Sequence, residues 1–203
     1  MPTQFDLSVF GFIHGLAPDL LMPFEERAAV WLIGLVPLTL IALWFRNRGD
    51  DRMAVVAATI SAGGAVSIAG IMSFLVFEPH PFMIGLCGNV LHHVADSSFP
   101  SGYMALTSAV AASLELTKRR GAAIAIAVAA VLIGWSRIAI GVHFPIDILA
   151  GAAIGVTMAV ILQSAPVTPF FAFVLRLGEG VSAAIGLDRI GCLVGRSSAS
   201  RFR

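Results

Sequence analysis

The chain has 203 residues, 58% of them hydrophobic and only 12% charged, with a formal net charge of +1 and a mean hydropathy of +0.90. These values exclude an ordinary soluble domain and leave no basic stripe for nucleic acid, so lipid is the natural solvent of the chain. Two cysteines, Cys87 and Cys192, give neither a disulfide framework nor metal-binding spacing and read as packing residues on opposite sides of a membrane.

The first residues, Met1 to Asp6, carry no positive leader, and the N-terminus is expected to be retained. Leu7–Met22 is apolar but broken by Gly11, Gly15 and Pro18, which predicts an interfacial or re-entrant helix within an outer segment, residues 1–27. Apolar runs follow at Ala28–Phe45, Met53–Phe77, Ser101–Thr117, Gly121–Ser136 and Pro145–Gln163. Each is close to the length that crosses about 30 Å of hydrocarbon. Only helices satisfy their own backbone in lipid over such unbroken runs, so the predicted fold is all-α, a polytopic transmembrane helical bundle of five spans. Phe170–Leu187 carries Arg176 and Glu179 and is expected at the cytoplasmic interface, within the tail 164–203. No repeat or linker divides the chain, and one membrane-embedded domain, 1–203, is expected.

Charge assigns the sides. Arg46, Arg48 and Arg52 follow the first run, Lys118, Arg119 and Arg120 the third, and Arg176, Arg189, Arg196, Arg201 and Arg203 the fifth. Those segments are expected in the cytoplasm, with Glu78–Pro100 and Arg137–Phe144 outside. Small residues at Gly63-Gly64 and at four-residue spacing in Gly151–Gly155 predict close helix packing within the chain.

Polar residues gather in the outer segments: Glu78, His80, His92, His93, Asp96, Ser97, Ser98, Ser101, Tyr103, Ser136, Arg137, His143 and Asp147. Of the five histidines only His14 stands apart. Singly, each has an ordinary explanation: Arg137 snorkels, His143 is a loop histidine, Asp147 favours a helix start, and Pro100-Ser101-Gly102 is a turn with an N-cap. Together they suit phosphoryl transfer. Ser101 and Gly102 open a helix, where free N–H groups favour an anion and glycine lets it approach the backbone. Arg137 can fork onto two phosphate oxygens. His143 is a candidate nucleophile, with Asp147 one turn on to fix its tautomer. No metal and no cofactor is needed.

Ser136-Arg137, five residues, His143, three residues and Asp147 resemble the third signature of the type 2 phosphatidic acid phosphatase superfamily. Ser98-Phe99-Pro100-Ser101-Gly102 looks like its second, and Glu78-Pro79-His80-Pro81-Phe82 resembles the first as bacitracin-resistance-type undecaprenyl-diphosphate phosphatases carry it. The likeness covers roughly residues 5 to 163. The resemblance implies a phosphohistidine at His143 supported by Asp147. Arg137, Ser101, Gly102, Ser136 and His80 would be the phosphate-binding residues, and Tyr103 would be in the place of the leaving-group acid. It implies a bacterial inner (plasma) membrane protein with its site facing the periplasm or outside and its C-terminus in the cytoplasm. The expected partners are a polyprenyl or other lipid phosphate and the surrounding lipids.

Three departures accompany the likeness. The second signature ordinarily ends in histidine, and Tyr103 is there; the first ordinarily has Arg and Lys where His80 and Ser73 stand. Three readings therefore remain at the level of sequence: a lipid diphosphate phosphatase, a polyprenyl-phosphate-binding protein without turnover, and a lipid phosphotransferase. The soluble vanadium haloperoxidases share the signatures, but hydropathy excludes that branch. Either His92 or His93 is a candidate for the missing acid, and an ordinary loop position explains each as well.

Overall fold

The computed structural model describes residues 2–16, 31–46, 48–89 and 92–164, with 173, 174, 176, 177 and 180 beyond them. Cys192, most of the tail and the second half of the Leu7–Met22 run lie outside the described residues. The helices are α1 (Gln4–Leu16), α2 (Leu35–Phe45), α3 (Gly49–Leu75), α4 (Gly102–Leu116), α5 (Arg120–Ala139) and α6 (Pro145–Ser164). Short 3-10 turns, Leu32–Gly34 and Pro81–Ile84, precede α2 and follow α3. Each of the five apolar runs carries a helix. Three of them, α3, α5 and α6, are long and apolar enough to cross a membrane. Helix α4 has 15 residues, about 22 Å at 1.5 Å per residue, and Leu32–Phe45 is likewise a shorter apolar helix.

Helix α4 is the axis of the bundle, with α3, α5 and α6 packed around it. Its contact with α6 is set by the two glycines of the small-residue repeat. A Cβ on Gly151 would stand 2.3 Å from the Ser101 carbonyl oxygen, and one on Gly155 2.4 Å from that of Ala105. Neither space exists, so the spacing serves packing inside the chain. Ala65 and Ala69 of α3 meet Ala105 and Ala109 of α4 in a similar seam. Large apolar side chains such as Phe74, Leu75, Ile124 and Val131 point outward, as a lipid-facing surface requires.

Helix α1 is fastened across the ends of α5 and α6. The Ile146 N–H donates to Asp6 Oδ1 at 3.0 Å, so a residue 140 positions away caps the first turn of α6. His14 Nδ1 donates to the Ala139 carbonyl at 2.6 Å. His14 thus lies at the same end as the other histidines rather than apart from them. Phe10 packs edge-on to Phe144 with ring centroids 5.8 Å apart, closing the core of Ile13, Met104, Ala139 and Ile148.

The helices run between two poles. At one, Arg46, Arg48, Lys118, Arg119 and Arg120 frame a cavity of about 520 Å³. Buried Asp51 accepts there from Arg119 Nε and pairs with Arg46 Nε at 3.5 Å. The two cationic loops of the sequence therefore share one end, and the polar outer residues gather at the other.

Candidate active site

The chain reaches His143 through the cap of α5. Helix α5 ends on Ile140, and Gly141 follows with φ +78°. The Gly141 N–H donates to the Ile138 carbonyl at 3.0 Å and the Val142 N–H to the Arg137 carbonyl at 2.9 Å, the paired bonds of a Schellman cap. The His143 N–H also reaches the Arg137 carbonyl, at 3.2 Å. A cap of this kind has fixed length, which accounts for the five residues between Arg137 and His143. Glycine is required at 141 twice over, because a Cβ there would also lie 2.0 Å from Cys87 Sγ. Burial raises the pKa of this free thiol.

Pro145 then opens α6, its missing N–H costing nothing at that position. Asp147, in the first turn, accepts from the Phe144 N–H through Oδ2 at 2.8 Å. The same oxygen stands 3.6 Å from His143 Nδ1. The carboxylate is where the sequence puts it, behind the imidazole, but this separation is longer than a hydrogen bond. His143 Nδ1 is buried without a hydrogen-bond partner. Burial, and then the neighbouring Arg137, His80 and His93, hold the His143 pKa well below 6.5. The imidazole is therefore neutral at neutral pH, the form that attacks phosphorus.

Arg137 is buried on the last turn of α5. Its guanidinium lies over the Tyr103 ring, 4.1 Å from the centroid, and its Nη2 donates to His93 Nε2 at 3.3 Å. Tyr103 thus presents a ring face to a cation, an arrangement that orients the fork for an anion. His80 is also buried, 1% exposed in its side chain. Its Nδ1 bonds to the Val142 carbonyl and its Nε2 meets Asp96 Oδ1 at 2.9 Å. Phe82 stacks on it at 5.0 Å, and the His143 ring centroid is 5.6 Å away.

These residues surround a cavity of about 220 Å³, lined among others by His80, His93, Asp96, Tyr103, Arg137 and His143. Gly102 lines it too, and a side chain added there would meet nothing within 4 Å. Ser101, as N-cap of α4, donates its N–H to the Asp147 carbonyl at 3.1 Å. Its hydroxyl does not cap the helix. The Ser101 and Ser98 hydroxyls are buried with no close hydrogen-bond partner, but neither residue is among those of the cavity, and the Ser98 side chain acts on the Asp147 carboxylate.

Not every candidate converges. Ser136 donates to the Leu132 carbonyl of its own helix at 2.7 Å and is not among the residues of the cavity. Of the two candidate acids, His93 lines the cavity and His92, with φ 49°, does not. Ser73, where the resemblance has Lys, donates to the Phe99 carbonyl at 2.9 Å. Asp96 carried no assigned role in the sequence, and nothing in its spacing distinguished it from a loop residue; Ser98 opened the second signature without an assigned role. His80, His93 and Asp96 hold ligand atoms within 4.8 Å of one another, a cluster that could take a metal ion. Their hydrogen bonds to Val142, Arg137 and one another account for the cluster without one.

The sequence model of the PAP2 superfamily matches residues 51–169, a stretch that includes Ser73, His80 and every cavity residue named above. The chain belongs to the PAP2 superfamily. Among its relatives in this superfamily, YbjG of Escherichia coli strain K12 is 31% identical over 76% of this chain and 79% of YbjG. The undecaprenyl-diphosphatase BcrC of Bacillus subtilis is 29% identical over 85% of this chain and 91% of BcrC. Among solved structures, Aquifex aeolicus LpxE superposes with a TM-score of 0.64 at 27% identity, over 78% of this chain and 94% of LpxE. The all-helical fold and the membrane character agree with this membership.

Proposed function

We propose that the protein is a membrane phosphatase of undecaprenyl diphosphate, which it converts to undecaprenyl phosphate through a phosphohistidine at His143. The observation that carries this reading is the cavity itself. A neutral, buried imidazole and a buried guanidinium face one cavity. Arg137 binds the oxygens of the transferring phosphoryl group, with the Ser101 hydroxyl and the start of α4 beside it. His143 attacks phosphorus, the phosphoanhydride oxygen departs as lipid phosphate, and water then releases phosphate from the histidine. Asp147 orients His143 from behind.

One relative, BcrC of Bacillus subtilis, is an undecaprenyl-diphosphatase, and the leaving group points the same way. A diphosphate expels a lipid phosphate with a pKa of about 6, which departs without much protonation. A monoester expels a basic alkoxide and depends on a donated proton worth about 10²–10⁴-fold. Tyr103 faces Arg137 rather than a histidine being present there. The enzyme works in the bacterial inner membrane with this cavity outside and the cationic pole in the cytoplasm. Purified protein is assayed for phosphate release from undecaprenyl diphosphate and from phosphatidic acid, with and without an acceptor lipid. Diphosphate hydrolysis without acceptor, faster than monoester hydrolysis, is the expected result; binding without release, or release only as transfer to the acceptor, would overturn it.

A further inference from the structure

The cavity of about 520 Å³ at the pole opposite the active site has no part in the phosphatase reading. Five cationic side chains line it, Arg46, Arg48, Lys118, Arg119 and Arg120, against two acidic ones, Asp50 and Asp51. Asp51 is a fixed part of the wall, with its side chain only 4% exposed. It accepts from Arg119 Nε and stands 3.5 Å from Arg46 Nε. One buried carboxylate thus holds two guanidiniums side by side, and their sum stays positive. Arg120 pairs with Glu115 at 3.4 Å. Arg48 and Lys118 have no ion pair among the described residues.

The backbone repeats this imbalance. Both helices that start at the cavity have arginine at the N-cap, Arg48 before α3 and Arg119 before α5, and neither side chain caps. A capping side chain accepts hydrogen bonds, and arginine has donors only. Helix α3 offsets its positive end with Asp50 and Asp51, whereas the first turn of α5 has no acid. The Ala123 N–H donates to the Arg119 carbonyl at 2.9 Å, so the N–H groups of Arg120, Gly121 and Ala122 reach no carbonyl of their own helix. Gly121 and Ala122 line the cavity. Lys118 brings its charge to a position that favours glycine, with φ 61°. Its N–H donates to the Glu115 carbonyl and the Arg119 N–H to the Leu114 carbonyl, closing α4 in a Schellman cap. Cations therefore surround free donors at the positive end of a helix dipole, an arrangement that an anion completes.

We propose that this cavity binds an anionic phosphate group, held by Arg48, Lys118 and the start of α5. Its place in the fold bears on the source. Helices α3 and α5 are long and apolar enough to cross a membrane, and both begin at the cavity, which puts it level with lipid headgroups. Its volume is far larger than a phosphate ion needs, and Leu43 and Ala122 give it an apolar wall. Both features suit the headgroup of an anionic phospholipid, the class that basic pockets between spans attract. The inference does not depend on the chemistry at His143. Loop cations that serve only to orient the chain in the membrane need no saturable ligand, so saturation and dependence on named side chains distinguish a site from a charge bias.

The full chain in an uncharged detergent is titrated with short-chain phosphatidylglycerol, with phosphatidylcholine of the same chains and with inorganic phosphate, and Tm reads binding. Wild type is compared with Arg48→Gln, Lys118→Asn and the double variant. Asparagine suits the left-handed backbone, so Lys118→Asn without ligand is expected to be as stable as wild type, and lost binding is not lost folding. Phosphatidylglycerol should raise the wild-type Tm saturably and phosphatidylcholine should not. Half-saturation should need about fivefold more lipid in each single variant and about twentyfold more in the double variant, while Lys118→Arg keeps the wild-type value. The same dependence on Arg48 and Lys118 with inorganic phosphate alone would assign the cavity to the soluble anion. If neither anion raises Tm, if phosphatidylcholine matches phosphatidylglycerol, or if the variants diminish the rise caused by neither anion, the proposal is overturned.

Discussion

The guanidinium of Arg137 and the ring of Tyr103 lie face to face, 4.1 Å from carbon to centroid, at the position where the second signature of the family ordinarily ends in histidine. The contact gives the Tyr103 ring a role beside the side-chain hydrogen bond between Tyr103 and Arg137. Tyr103→Phe, which keeps the ring and loses the hydroxyl, is expected to lose less kcat/KM than Tyr103→Leu, which also loses the cation–π contact, about 0.5–2 kcal/mol, or roughly two- to thirtyfold. Steady-state kinetics on the diphosphate separates the cases. Equal losses in the two variants would return the hydroxyl to the chemistry.

Burial first, and then Arg137, His80 and His93 beside it, depress the pKa of His143 well below 6.5. The attacking form is the neutral one, so lowering the pKa keeps the nucleophile competent as pH falls. The kcat/KM profile, divided by the substrate's own ionisation, is expected to hold its value through pH 6.5 and decline only well below it. An acid limb centred at or above 6.5 would contradict the assignment. His143→Ala should lose several powers of ten in kcat, each worth about 1.4 kcal/mol of barrier, and Asp147→Asn, which removes orientation only, should lose fewer.

Gly141→Ala combines an unfavourable φ with a Cβ placed 2.0 Å from Cys87 Sγ. A left-handed position costs a non-glycine residue about 1–2 kcal/mol, and overpacking adds about 1–3 kcal/mol. The Val142 and His143 N–H groups hang from the same cap, so kcat should fall together with the detergent-solubilised Tm. A companion change, Cys87→Gly, is expected to recover only the packing part, because the φ penalty remains.

Asp6→Ala removes the acceptor of the Ile146 N–H. Loss of such a cap costs about 0.5–2 kcal/mol. Thermal unfolding should detect it, while Asp6→Asn, which keeps an acceptor oxygen, should lose less. An unchanged Tm in Asp6→Ala would mean that α1 is held by Phe10, Ile13 and His14 alone.

Hydropathy made the bundle legible, because an apolar run in lipid has one outcome, a helix. The third signature was legible for a related reason: Arg137, His143 and Asp147 are joined by a helix cap and a helix start, and local geometry converts their spacing into position. Gly151 and Gly155 were readable as a close-packing stripe. What sequence left dark depends on contacts between distant segments. Asp6 as a cap for α6, His14 on Ala139 and Asp96 on His80 are each set by tertiary docking, with no periodicity to announce them. Ser136 shows the opposite case. It belongs to the signature, yet in the helix its hydroxyl finds the carbonyl one turn back, a partner that is always within reach.

Helix α6 carries Asp147 in its first turn and Gly151 and Gly155 one and two turns deeper. The Ser101 carbonyl that excludes a side chain at Gly151 belongs to the residue whose N–H donates to the Asp147 carbonyl. The stripe therefore works as a ruler, transmitting the thickness of a helix–helix contact to the distance between Ser101 and the first turn of α6. A saturation-mutagenesis screen for activity would score this apolar stripe nearly as intolerant as the phosphate cavity, although neither glycine lines that cavity, and its tolerance would follow side-chain volume rather than polarity.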